Sequence, residues 1–155
     1  MDPISVTNYP NLWHRGFPLQ MLQQRTYTST SATQFVDVEA AFWNGDPDID
    51  AVCRMEHAPD CVFDPAVFPF SFDKFSPFNS QNTFLSRRAL KKYFMFPFVG
   101  RMDDIWAAYY IQSLGFKTLY SQPSVHQHRN PHDLTVDFEQ EVLSLIHISE
   151  PTRPY

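Results

Sequence analysis

The chain has little glycine: 4 residues in 155, against 13 prolines. Tight glycine-rich phosphate loops are therefore scarce, and much of the backbone must run extended or irregular between short regular elements. Charge is also sparse, at 19% of residues, and its sum is −5, so the net charge gives no basic footprint for a nucleic-acid backbone or an anionic membrane. No run of about 18 apolar residues is present to read as a membrane span. Met1 is followed by Asp2 and Pro3, not by a basic and then apolar leader. A soluble protein of the cytoplasm is the expectation. The only two cysteines, Cys53 and Cys61, fit neither a zinc knuckle nor a disulfide framework and read as free thiols.

What the chain has in quantity is large apolar side chains. Hydrophobic residues make up 43% and aromatic residues 16%, with fifteen Phe, which excludes a disordered polymer and implies one domain with a packed core. Pro18 opens a short helix over residues 18–24, and the Ser/Thr-rich residues 26–33 read as a loop. Strands are predicted over residues 34–38 and 51–56, separated by a turn at Asn44-Gly45-Asp46-Pro47-Asp48. The Phe- and Pro-rich residues 63–78 should be extended loop held down by their rings. A strand over residues 83–85 and a helix capped by Ser86 over residues 87–94 follow, with Arg87, Arg88, Lys91 and Lys92 as its solvated face. The clearest helix begins at Asp103 or Asp104 as N-cap, is apolar through Leu114 and ends at Gly115. A strand over residues 116–120 completes a helix-to-strand unit, which points to the α/β class. Asn130 and Pro131 then start an amphipathic helix in which Leu134, Phe138 and Val142 recur every four residues.

Four groups of residues could carry chemistry. Asp103 and Asp104, beside Arg101, stand at a helix start, where one carboxylate can cap and the other can serve as base or hold a hydroxyl. His126 and His128 point to one side of an extended segment, a usable pair of metal ligands, although exposed or hydrogen-bonding histidine is the commoner outcome. Asp46, Asp48 and Asp50 alternate as in an Asp-x-Asp metal element, but Pro47 makes turn-forming acids the better reading. Asn79, Ser80, Gln81 and Asn82 are polar groups suited to sugar hydroxyls and equally suited to a loop.

Three segments, Trp13-His14-Arg15-Gly16-Phe17-Pro18-Leu19, Phe78-Asn79-Ser80-Gln81-Asn82-Thr83-Phe84 and Gly100-Arg101-Met102-Asp103-Asp104-Ile105-Trp106, the last running on to Arg129-Asn130-Pro131-His132-Asp133-Leu134, together resemble a bacterial glycosyltransferase-like family related to the reversibly glycosylated polypeptides and the STELLO-type proteins of plants. The resemblance spans about residues 8–143. It implies a GT-A nucleotide-diphospho-sugar transferase fold, a mixed α/β sheet with flanking helices, of which residues 1–144 are the C-terminal part. It implies Asp103 or Asp104 as the catalytic base or acceptor-binding carboxylate, with Arg101 beside it, and His126 or His128 as a contact to a divalent manganese or magnesium ion; Asn79, Gln81, Asn82 and Trp106 are the further candidate substrate-binding groups. The partners it implies are a nucleotide-sugar donor and a carbohydrate acceptor. A sugar-binding module without catalysis, or a sugar-nucleotide mutase, is the alternative. Residues 145–155 resemble an adapter-derived reading-frame ending and are set aside.

Overall fold

A computed structural model describes residues 1–23 and 36–149, with side chains described up to residue 142. Its frame is a mixed α/β arrangement built on four strands: β1 (Val38–Gly45), β2 (Phe70–Ser71), β3 (Thr83–Leu85) and β4 (Thr118–Gln127), in the spatial order β2-β4-β1-β3. β1 and β4 run parallel, while β3 pairs antiparallel with β1 and β2 antiparallel with β4. The helices are α1 (Ala51–Glu56), α2 (Arg87–Leu90), α3 (Asp103–Ser113) and α4 (Leu134–Ser149).

The core lies on one face of the sheet, because Val38, Ala40 and Phe42 alternate inward along β1 while Glu39 faces out. Phe42 is its centre: its ring meets those of Phe63, Phe68, Phe70 and Tyr120 at centroid separations of 4.9 to 6.2 Å. The Phe- and Pro-rich segment is thus held down by its rings, with Phe63, Phe70, Phe72 and Phe78 buried. Burial of each such ring is worth about 1.5–3 kcal/mol. Ala108 and Ile111 bring α3 onto the same core, and Gly115, at φ +87°, ends that helix one residue past its C-cap. Both cysteines are free and buried.

Several local expectations are corrected. Residues 51–56 form α1, not a strand, because the Asp50 carboxylate accepts from the Val52 amide and caps it. β1 starts at Val38 and runs two residues into the expected turn, to Gly45, drawn on by pairing with β4; residues 34 and 35 of the predicted strand, the loop at 26–33 and residue 24 lie outside the described residues. The predicted helix at 18–24 is a single 3-10 turn, Leu19–Met21. α2 stops at Leu90, well short of residue 94, and β4 extends to Gln127. Met102, not an aspartate, occupies the N-cap of α3. α4 is capped by Asp133, whose Oδ1 accepts from the Thr135 and Val136 amides at 3.0 and 3.3 Å, and not by Asn130; its backbone continues through Ser149.

Candidate functional site

The three sequence segments meet around Arg15. His14 bridges to Ile49 and the Arg15 amide donates to the Asp48 carbonyl, so this stretch is stitched to the loop that follows β1. It brings the Arg15 guanidinium inside, 4% exposed. A guanidinium stays charged in proteins and is tolerated in the interior only against carboxylates. Arg15 has two. Its Nε lies 3.0 Å from both oxygens of Asp48, and its Nη1 and Nη2 lie 3.2 Å from the two oxygens of Asp104. Its Nη1 also donates to the Arg101 carbonyl. Asn79 Nδ2 and Arg129 Nη2 donate to Asp48 at 2.8 and 3.1 Å, and the Ser80 amide donates to Asp104 at 3.0 Å. Gly16, at φ +83°, lets α3 come this near: a Cβ there would stand 2.3 Å from Ile105 Cγ2.

Electrostatics follow from this geometry. Burial is the largest single influence and would lower the Arg15 pKa and raise that of Asp48, but the neighbouring charges and hydrogen bonds together outweigh it: Arg15, between Asp48 and Asp104, is raised, and Asp48, beside Arg15 and Arg129, is held well below the ordinary carboxylate range. Burial lowers the His14 pKa, and its Nδ1, 2.7 Å from the Arg15 carbonyl, donates to that oxygen.

A second buried acidic centre fastens α4. Glu141 is fully buried and accepts from the Ala51 amide at 2.8 Å, beside Asp50. Burial and the neighbouring Asp50 charge raise Glu141, and burial raises Asp50. The Arg101 side chain turns to this helix, 3.3 Å from Glu141 and paired with Asp137.

The expected site residues therefore fall into separate places. Asn79, Asp104 and the Arg101 backbone belong to the Arg15 cluster. Asp104 is 5% exposed, with both oxygens engaged, whereas Asp103 is half-buried and accepts the Asp104 amide at 2.8 Å. Gln81 and Asn82 leave the cluster and, with Ser80 at its edge and with Glu39, Ala41, Thr83 and Phe84, line an open groove along the outer side of β1 and β3. Asn82 is oriented there by donating to the Phe42 carbonyl and to Ser124 Oγ at 3.0 and 2.9 Å. Trp106 is not in the groove; its ring lies 6.1 Å from that of Phe96. His126 and His128 are exposed at the carboxyl end of β4, with rings 4.9 Å apart and His126 registered opposite Asn44 of β1. Nearby Asp46 pairs with Arg54 at 2.5 Å and with Arg129 at 3.7 Å. Among the described residues no group of three or more His, Cys, Asp and Glu is arranged to hold a metal ion.

Arg15, Arg129, Glu39 and Glu141 carry no predicted role in the sequence, and Asp48, expected as a turn acid, is 1% exposed and central to the cluster. A signal existed for Glu141, seven residues after Leu134 on the stripe that carries Phe138 and Val142, where a carboxylate is out of place unless partnered. Arg15, set between Trp13, His14 and Phe17, was a similar signal. No family model and no curated protein sequence matches this chain.

Proposed function

We propose that the chain is the acceptor-side part of a GT-A-type glycosyltransferase, with the groove along β1 and β3 as its carbohydrate site. The observation that carries this reading is the side-chain set of the groove. Gln81, Asn82 and Thr83 supply donors and acceptors for sugar hydroxyls, Phe84 supplies an apolar ring face that is 65% exposed, and Glu39 supplies an exposed carboxylate opposite Phe84 in the β1–β3 register. In this reading Glu39 takes the proton of the acceptor hydroxyl as the oxygen bonds to the sugar's anomeric carbon and the bond from that carbon to the diphosphate breaks, releasing a nucleoside diphosphate. Asp104 is a positioning residue: held in place by Arg15, it fixes Ser80, one wall of the groove, by accepting directly from its amide and hydroxyl at 3.0 and 3.3 Å. Asp103, less enclosed, is the nearer of the two aspartates to a hydroxyl-binding role. A divalent ion, when bound, would neutralise the leaving diphosphate. His126 and His128 are the side chains that would contact it, although an imidazole pair suits a softer ion than magnesium.

A second reading is a sugar-binding module without catalysis, in which the same groove side chains serve binding alone. Incubation with nucleotide-diphospho-sugars and simple sugar acceptors, with and without manganese, separates the two by chromatography of products. The transferase reading expects released nucleoside diphosphate, reduced at least ~100-fold by Glu39→Gln with little change in KM. Absence of product with retained sugar binding selects the module, and a rearranged nucleotide sugar selects a mutase.

A further inference from the structure

Residues 87–98, Arg-Arg-Ala-Leu-Lys-Lys-Tyr-Phe-Met-Phe-Pro-Phe, contain four cations and no acid in a chain whose net charge is −5. The same stretch contains the most exposed aromatic side chain of the described residues. Phe98 is 100% exposed, and Leu90, Phe94 and Met95 are 60%, 55% and 43% exposed. The protein holds this arrangement in place. Phe96 packs its ring against Phe94, Trp106 and Tyr110 at 5.4 to 6.1 Å, so the loop is braced on α3 while Phe98 projects from it at φ +70°. Of the four cations, Arg88 is spent on Asp37, to which its Nη2 donates at 2.7 Å. Arg87, Lys91 and Lys92 remain exposed. The negative groups on the side of α3 are Asp103 and Asp104, and Asp104 is neutralised by Arg15.

We propose that this loop is a membrane-surface anchor that inserts Phe98, Phe94 and Met95 among the acyl chains of an anionic bilayer while Arg87, Lys91 and Lys92 meet the headgroups. Charge complementarity selects this occupant. Apolar rings flanked by unpaired cations match an apolar slab under a negative surface. A fully exposed ring suits insertion into a fluid phase. A protein partner would have to offer a fitted pocket.

The test is co-sedimentation of the full chain with sucrose-loaded vesicles of phosphatidylcholine alone or mixed with phosphatidylserine, across a salt series. The expected result is binding to the anionic vesicles that weakens with salt, and far less to the neutral ones. Lys91→Ala/Lys92→Ala should lower the partition coefficient about 25-fold, roughly fivefold per charge. Phe98→Asn, which tolerates the left-handed backbone, should lower it on the order of tenfold or more. Circular dichroism confirms that both variants are folded. Equal binding to neutral and anionic vesicles, no binding to either, or variants that bind like the parent would overturn the proposal. So would a concentration-dependent dimer abolished by Phe98→Asn while vesicles stay unbound, because the surface would then join two copies of the chain.

Discussion

Replacing Arg15 by Met removes one charge from a cluster that holds three distant segments together, and its cost can be worked from the contacts. Asp48 and Asp104 are 1% and 7% exposed at their side chains, so neither can recover its lost partner from water. Breaking a buried ion pair by removing one partner costs about 3–5 kcal/mol, most of it the penalty on the charge left behind. Asp48 keeps Asn79 and Arg129 as donors, and Asp104 keeps the Ser80 and Ile105 amides, which places the expectation near the lower end, at about 3 kcal/mol. Against the 5–15 kcal/mol typical of a domain, this is a large fraction. Urea denaturation followed by the fluorescence of the buried Trp13 and Trp43 measures it. Adding Asp104→Asn to Arg15→Met should restore part of the loss, since the stranded charge is then gone, whereas Asp104→Asn alone should destabilise. A loss below about 1 kcal/mol for Arg15→Met, or strict additivity in the double variant, would refute the reasoning.

Two further outcomes are expected. Glu141 is pushed up to about 7 by burial and by Asp50, so the folded state holds a proton that the unfolded chain releases near 4.5. That stabilisation is fully present below pH 4.5 and is lost as pH rises towards 7, amounting to roughly 3 kcal/mol at most; Glu141→Gln should flatten the stability profile across this window, and an unchanged slope would contradict it. Gly45 stands at φ +87°, and a Cβ there would lie 2.4 Å from the Gln127 carbonyl and 2.6 Å from His126 Cε1. Gly45→Ala should therefore cost at least about 2 kcal/mol, read from the same urea titration, by straining the junction of β1 and β4; a neutral substitution would show that the two strand ends move apart freely.

Local signals carried the elements whose caps and periodicity agree. α3 was legible because an apolar run ends at Gly115, and the ring-packed segment before β3 because phenylalanine and proline alternate there. α1 was not, since Val52 and Cys53 favour a strand and only the Asp50 cap, whose use depends on the neighbouring fold, decides for helix. β1 was cut short for a related reason: Asn44-Gly45 reads as a turn until β4 supplies the pairing that extends it. The candidate site divided along the same line. Asn79 through Asn82 were recognisable as polar loop residues, and three of the four, Ser80, Gln81 and Asn82, line the groove. The burial of Asp104 and Asp48 was not recognisable, because it depends on Arg15, which is 89 residues from one and 33 from the other.

The groove is the centre of the functional account, and side-chain amides report on it directly. In a nitrogen-labelled sample titrated with a nucleotide-diphospho-sugar or a simple acceptor sugar, the side-chain NH2 signals of Gln81 and Asn82 should shift in a saturable way, while those of Asn8 and Gln112, whose hydrogen bonds lie elsewhere, should not. Saturation at Gln81 and Asn82 with loss of the effect in Phe84→Ala is the predicted result. Unmoved Gln81 and Asn82 signals across the whole panel of sugars and nucleotide sugars would contradict a carbohydrate site in this groove.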